Sequence, residues 1–268
     1  MSRIAAEVPA AAAPRWARRK QDRPAQLLAA GLDLFVERGY AGTRLDDVAA
    51  RAGVSKGTLY LYFANKEELF KAVVRESVVP LITAAAGRAE SYEGSSADLL
   101  RGLVMSWWRD YGNTQAGGIT KLVTAESSNF PEIAGFFLAE VIEPWHRLLG
   151  SAVARGIARG EFRAVDVPTF VQMLAAPLVM LSMWKFSFGP CCQRPVDHDL
   201  YLDTLMETML RGLAAPAAGS DATKRAAESA ERRAARGPVA RLSPDKNHRA
   251  PQQHTRAAAS EQGKSRER

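Results

Sequence analysis

Apolar side chains recur at helical spacing from Pro24 to Leu213, and no alternating run of β-branched residues bounded by turn residues is present. The pattern predicts an all-α chain. Its most informative stretch is 43–70. Leu45, Val48, Ala49 and Ala52 fall at i, i+3, i+4 and i+7 and mark one face of a short helix. Thr43 is placed to cap it, with Asp46 three residues on as the partner of a capping box. Gly53 supplies the positive φ that ends it. Ser55 caps the next helix. Leu59 and Phe63 face inward, which leaves Lys56, Gly57, Thr58, Tyr60 and Tyr62 outside. A helix this short holds only when packed. Its outer face then carries a cation, hydroxyl-bearing aromatics and a glycine, which is what a helix inserted into a DNA major groove needs.

The flanking elements follow from the same spacing. A first helix is predicted from about Pro24 to Arg38, with Leu27, Gly31, Leu34 and Phe35 on its buried stripe and Gly39 at its end. Asn65 caps a fourth helix, with Glu67 and Glu68 in its first turn and Leu69, Val73 and Ser77 along it. Longer helices, rich in aromatics, are predicted near 97–112, 118–129, 131–159, 166–188 and 197–213. Pro144 and Pro177 kink two of them. Gly160 ends one, and Asp166 caps the next. Residues 1–14 are rich in Ala and Pro, and from Ala214 onward apolar side chains other than Ala nearly vanish. Both segments bury too little to offset ordering entropy, so 1–14 and 214–268 are expected to be disordered, and the tail dispensable for folding.

Charge sharpens this division. Residues 15–66 hold ten Lys/Arg against five Asp/Glu, residues 67–213 thirteen against seventeen, and residues 214–268 twelve against six. A basic head that coincides with a helix-turn-helix pattern suits a polyanion. Arg15, Arg18, Arg19 and Lys20 form a basic arm able to reach a minor groove or phosphates. The two cysteines, Cys191 and Cys192, are adjacent and make no disulfide framework, so a reducing compartment is expected. No signal peptide is evident. The longest apolar run, Phe170 to Trp184, is interrupted by Gln172, Pro177 and Ser182, so no membrane span is expected and the protein is placed in the cytoplasm.

Residues 27–70 resemble the N-terminal domain of TetR/AcrR-family transcriptional regulators. The resemblance rests on Leu27 to Tyr40, Asp47-Val48-Ala49, Ala52 to Tyr60, Tyr62-Phe63 and Asn65 to Leu69. It implies a three-helix helix-turn-helix DNA-binding domain over 15–66 and a helical ligand-binding and dimerisation domain over 67–213. It also implies a homodimer that binds double-stranded operator DNA, usually as a repressor, and releases it when a small molecule binds. Thr43, Arg44, Ser55, Lys56, Gly57, Thr58, Tyr60, Tyr62 and Lys66 are the DNA-binding residues carried over. Tyr60 is expected at base edges, Lys56 at guanine or phosphate, and Thr58, Tyr62 and Lys66 at phosphate. Two positions depart from the family pattern: Gly31 stands where Ala is usual, and Arg44 replaces a small hydroxyl residue.

The second domain is expected to hold a largely apolar effector. Trp107, Trp108, Phe137, Trp145, Met173 and Met180 are candidate walls, and Glu126, Gln172 and His146 candidate polar anchors. Leu174, Leu178, Leu181, Leu202, Leu205, Met209 and Leu213 are candidates for the dimer contact. No Ser-His-Asp set, HExxH, P-loop or dinucleotide fingerprint occurs, so the chain is not read as an enzyme and no cofactor or metal is called for. Two alternatives stay open: an architectural DNA binder without an effector, and a thiol or metal sensor using Cys191 and Cys192.

Overall fold

The first helix, α1 (Arg15–Gly42), is broken near its end at Gly39, which adopts φ +76°. Only glycine takes that conformation without steric cost. In this computed structural model residues 15–192 and 195–215 are described, so the expectations for 1–14 and 216–268 lie outside them. The segment read as a basic arm is helical backbone, continuous with α1, and Pro24 lies inside the helix rather than in its first turn.

Two seven-residue helices follow, α2 (Leu45–Arg51) and α3 (Lys56–Tyr62). Gly53 ends α2 with φ +67°. Val48, Ala49, Leu59 and Phe63 are buried as the spacing predicts. The fourth helix, α4 (Lys66–Ser77), is capped by Asn65, whose side chain accepts the Glu68 N–H at 2.9 Å. Gly31 of α1 faces α4. A Cβ there would lie 3.2 Å from Val73 and 3.4 Å from Leu69, so the glycine lets the two helices approach closely.

A separate helix, α5 (Val79–Glu90), was not visible in the sequence pattern. Its small, weakly periodic side chains (Thr83-Ala84-Ala85-Ala86-Gly87) carry little amphipathic signal. Next come α6 (Ser96–Trp107), α7 (Gly118–Glu126), α8 (Pro131–Phe137), α9 (Glu143–Ala158), α10 (Val167–Met183) and α11 (His198–Leu213). Asp166 caps α10, accepting the Thr169 N–H at 3.0 Å, and Gly160 ends the element before it with φ +70°. Three π-helical turns extend or join these helices, at Trp108–Gly112, Leu138–Ile142 and Trp184–Phe188. The second leads directly to Pro144 at the start of α9, so the wide turn absorbs the proline's missing N–H.

The core crosses the boundary drawn at residue 66. Leu27, Leu34, Phe35, Tyr40, Phe70 and Val73 share one buried cluster with Ile119, Leu122, Ile133 and Phe137. A second cluster joins α6, α9, α10 and α11 around Leu100, Leu149, Leu174, Leu202 and Met206. Five of the seven residues expected at a dimer contact, Leu174, Leu178, Leu181, Leu202 and Leu213, are buried there inside the protomer. Leu205 and Met209 pack against the same cluster. The leucine stripe therefore serves the chain's own core.

The helical run Val167–Cys191 is 25 residues long and includes an 18-residue window of mean hydropathy 1.5, so by length and composition alone it is apolar enough to cross a bilayer. One face, with Val171, Leu174, Leu178 and Leu181, packs in the core, while Met173, Val179 and Met180 are exposed.

Gly118 fixes the seat of α7 on α1. A Cβ at Gly118 would fall 2.6 Å from Val36 Cγ1 and 3.0 Å from Cγ2, too close for a β-branched neighbour to accommodate by rotation. Gly118→Ala should therefore destabilise the fold by about 1–3 kcal/mol, although helix propensity alone favours alanine. Thermal melting measures this. A Val36→Ala background should recover part of the loss, and equal losses in both backgrounds would place the strain elsewhere.

Candidate DNA-binding face and effector cavity

The outer surface of α3 is open, as the inward placement of Leu59 and Phe63 requires. Tyr60 is 46% exposed and Tyr62 38%. Leu61 is 84% exposed and was not singled out by sequence. The available signal was its phase, two residues from both Leu59 and Phe63 and so on the opposite side of the helix. Ser55 caps α3, with Oγ accepting the Thr58 N–H at 3.2 Å and pairing with Thr58 Oγ1 at 2.8 Å. A Cβ on Gly57 would meet only Ser55 Oγ, at 4.0 Å. Nothing inside the protein requires a glycine there, and in a helix it costs about 1 kcal/mol. Its open side permits close approach from outside. Lys56 Nζ lies 2.9 Å from Asp46 Oδ2 and 5.9 Å from the Tyr60 ring. The Asp46 hydrogen bond, then its charge, raises the Lys56 pKa above the ordinary lysine value. Arg44 is exposed before α2. A polar recess beside the turn is lined by Arg23, Gln26, Gly53, Ser55 and Thr58, of which Arg23 and Gln26 were not picked out by sequence.

Two carried-over residues are engaged within the protein. Thr43 is buried, with Oγ1 donating to Leu34 O at 3.1 Å and Gly39 O at 2.7 Å. It neither caps α2 nor faces solvent. The break at Gly39 frees carbonyls of α1, and the hydroxyl satisfies them. Lys66 Nζ donates to Tyr40 O at 2.7 Å and sits 4.5 Å from the Tyr40 ring centroid. Desolvation lowers its pKa below the ordinary lysine value. Its ammonium thus ties the start of α4 to the end of α1.

A cavity of about 700 Å³ opens between α5, α6, α7, α9 and α10. Of the expected residues it is lined by Trp107, Phe137, Trp145, Gln172 and Met180, and also by His146. Trp108 is instead buried in the second core cluster. Met173, one residue from Gln172, is rotated by about 100° and points to solvent, 60% exposed. Most of the wall is aliphatic and aromatic. Polar groups at the wall include Arg88, Asp110, Tyr111 and Thr120, none of them predicted. Tyr111 Oη and Thr120 Oγ1 bond each other at 2.7 Å, and burial pushes the tyrosine pKa up. Arg109 holds the Asp110 carboxyl below the usual range, with a further contribution from Arg88. Burial pushes His146 down, toward neutral imidazole. Each of the three π-helical turns contributes to the lining, through Asp110, Val141 and Phe188 among others.

Glu126 is not in this cavity. Its Oε1 accepts the Ala41 N–H at 3.2 Å, just past the Gly39 break. Phe130 meets the Tyr40 ring edge-on at 4.7 Å, and Gln115 Nε2 donates to Asp33 at 2.7 Å. One side of α7, with Thr120, Val123 and Thr124, lines the cavity, while its C-terminal residue grips the end of α1. A second tie joins α4 to the π-turn after α8, where Arg75 donates to both Glu140 oxygens at 2.6 and 3.0 Å. Cys191 is exposed and Cys192 half-buried, both free, and no three His, Cys, Asp or Glu groups gather as metal ligands among the described residues.

Comparison with known proteins agrees with this geometry. Residues 27–73 match the bacterial regulatory proteins of the tetR family, and residues 92–186 match the tetracyclin repressor-like C-terminal domain. The HTH-type transcriptional activator FasR of Mycolicibacterium smegmatis is 44% identical over 64 residues, 24% of this chain and 29% of FasR. The HTH-type transcriptional regulator EthR of the same organism is 27% identical over 167 residues, 60% of this chain and 75% of EthR. The match to FasR thus spans less than a third of that protein's length. Among solved structures, FadR of Bacillus subtilis in complex with stearoyl-CoA superposes with TM-score 0.56 at 18% identity, over 70% of this chain and 98% of FadR. With the helix-turn-helix and the helical second domain matched in order along one chain, this protein belongs to the tetR family of bacterial regulatory proteins.

Proposed function

We propose that the chain is a sequence-specific DNA-binding regulator that leaves its operator when a small, largely apolar molecule fills the cavity. The observation that carries this reading is α7, which lines the cavity along one side and holds the end of α1 with Glu126. An effector moves the equilibrium only by preferring one arrangement of that joint. The apolar wall suits an acyl or similarly hydrophobic body, and the stearoyl-CoA complex of FadR supports that class. The reading is of a binding protein and not a catalyst. An architectural DNA binder would have no use for a cavity coupled to the DNA-binding helices.

The two-fold partner is a second copy of the chain. The exposed faces of α10 and α11, with Met173 and Ala176 on one and Leu200, Thr204 and Thr208 on the other, are the surfaces left for it. Two recognition helices then address half-sites about one DNA turn apart, roughly 34–36 Å.

Three outcomes test this reading. The first uses an operator recovered by selection from random duplexes. On it, Tyr60→Ala should lose roughly 1–3 kcal/mol of binding while affinity for scrambled duplex barely changes. Lys66→Ala should weaken both duplexes alike. It should also lower the melting stability by roughly 1 kcal/mol, because its ammonium is tied to Tyr40 O and partly screened by solvent. Loss of fold on Tyr60→Ala would make Tyr60 a packing residue.

The second outcome concerns coupling. Stearoyl-CoA and free fatty acids are titrated against the operator complex. Ile142→Trp, which fills part of the cavity from a half-buried position, should weaken effector binding about tenfold or more and leave unliganded DNA affinity within twofold. Glu126→Gln should keep effector affinity on the free protein and reduce its effect on DNA. Effector release unchanged in both variants would remove the cavity from the mechanism.

The third outcome concerns assembly. Met173→Glu with Thr208→Glu should give folded monomers in sedimentation, with operator affinity down about a hundredfold or more. A double variant that stays dimeric would place the interface elsewhere.

A further inference from the structure

We propose that Leu61 reads the C5-methyl group of a thymine on the floor of the major groove. This rests on the reading that α3 enters that groove. Leu61 is 84% exposed, more than any other large apolar side chain among the described residues. A single exposed apolar side chain is common and means nothing by itself. This one is not isolated. Tyr60, Leu61 and Tyr62 are consecutive, so a helix of seven residues holds three of the nine large hydrophobics that are exposed among the described residues. Position then decides what the leucine faces. Leu59 and Phe63 are buried, and Leu61 stands two residues from each, about 160° round the helix. Tyr60 and Tyr62 lie about 100° to either side of it. Leu61 is therefore the crest of the open face, and the tyrosines are its flanks.

Beside Leu61 the crest offers no ready polar reader. Gly57, one turn earlier on the same side, has no side chain, and a Cβ there would meet only Ser55 Oγ at 4.0 Å. A helical side chain leans over the turn before it, so Leu61 extends over this bare backbone. The helix can then sink until the leucine reaches the base edges. The Thr58 hydroxyl, next along the crest, is held by Ser55 Oγ at 2.8 Å. Two turns of helix are about 10 Å long and the major groove is about 12 Å wide, so the whole of α3, its sixth residue included, fits within the groove. A leucine has no hydrogen bond to give. Against O6, N7 or an exocyclic amine it strips water from a polar atom and returns nothing. Thymine is the one base with an apolar group in that groove, its C5-methyl. The pairing therefore discriminates in both directions. Burying one methyl is worth about fourfold in affinity, and each competing base is penalised by an unmet hydrogen bond.

The test uses the full chain and its selected operator, with each thymine replaced, one at a time, by deoxyuridine. This deletes the methyl and leaves every hydrogen-bonding group in place. At one thymine per half-site the wild-type chain should bind about fourfold more weakly. At that position 5-methylcytosine should bind tighter than cytosine by a similar factor. Leu61→Ala should melt like wild type, because the side chain is exposed, and should bind the thymine and deoxyuridine duplexes almost equally. Leu61→Gln, selected afresh on random duplexes, should lose the thymine preference at that position and keep the rest of the operator. The proposal is overturned if no deoxyuridine replacement weakens the wild type. It is overturned too if the sensitive position stays fully sensitive in Leu61→Ala, which would give the methyl to another side chain such as Tyr60, or if Leu61→Gln still selects thymine there. Failure of the wild-type chain to select any sequence would instead refute the DNA-reading function itself, before any variant is made.

Discussion

Helices of seven residues do not hold their shape in water, and the reading surface of this protein is built on two of them. Everything that positions the surface is therefore tertiary. Leu59, Val48 and Ala49 are fully or nearly fully buried, and they seat α2 and α3 against α1. The end of α1 is fixed in turn by a knot around Gly39 and Tyr40. Tyr40 stacks on Phe35 at 5.8 Å, meets Phe70 and Phe130 edge-on, and carries Lys66 over its ring. Thr43 turns its hydroxyl back onto the freed carbonyls. Burial, with the nearby carboxylates of Glu132 and Glu67, pushes the Tyr40 phenol up to about 12, so it stays neutral at physiological pH.

That knot is also where the second half of the chain takes hold. Glu126 and Phe130 reach it from α7 and the turn beyond, and Gly118 lets α7 lie directly on Val36. Because α7 also forms a cavity wall, the space inside the cavity and the attitude of α1 are parts of one packing problem. Close-packed interiors respond to such a change by repacking as a unit rather than by deforming smoothly. The π-helical turns belong to the same design. Each widens its helix by one residue beside the cavity, which turns side chains such as Asp110 and Val141 toward it.

On the open face the energetics are of another kind. Lys56 with Asp46 and Arg38 with Asp47 are solvent-exposed pairs of small individual worth. They add little to folding. They set which charges are available when a polyanion arrives, and that choice is made by neighbours on α1 and α2 as much as by α3 itself.

The sequence by itself determined the all-helical class, the helix-turn-helix, its glycine at Gly53, the caps at Ser55, Asn65 and Asp166, and the buried faces of the short helices. These are local matters of spacing, side-chain reach and allowed φ, and neighbouring residues decide them. It missed α5, whose alanines give no stripe to read. It misplaced Thr43, Glu126, Trp108 and the leucines of α10 and α11. Each has the right chemistry for the role first assigned to it, but other partners in the chain claimed it, the Leu34 and Gly39 carbonyls for Thr43 and the Ala41 N–H for Glu126. Periodicity shows that a helix has an apolar face. It does not show whether that face meets the chain's own core, a cavity or a second copy, because helices distant in sequence make that choice when they pack. The tertiary structure alone decided it.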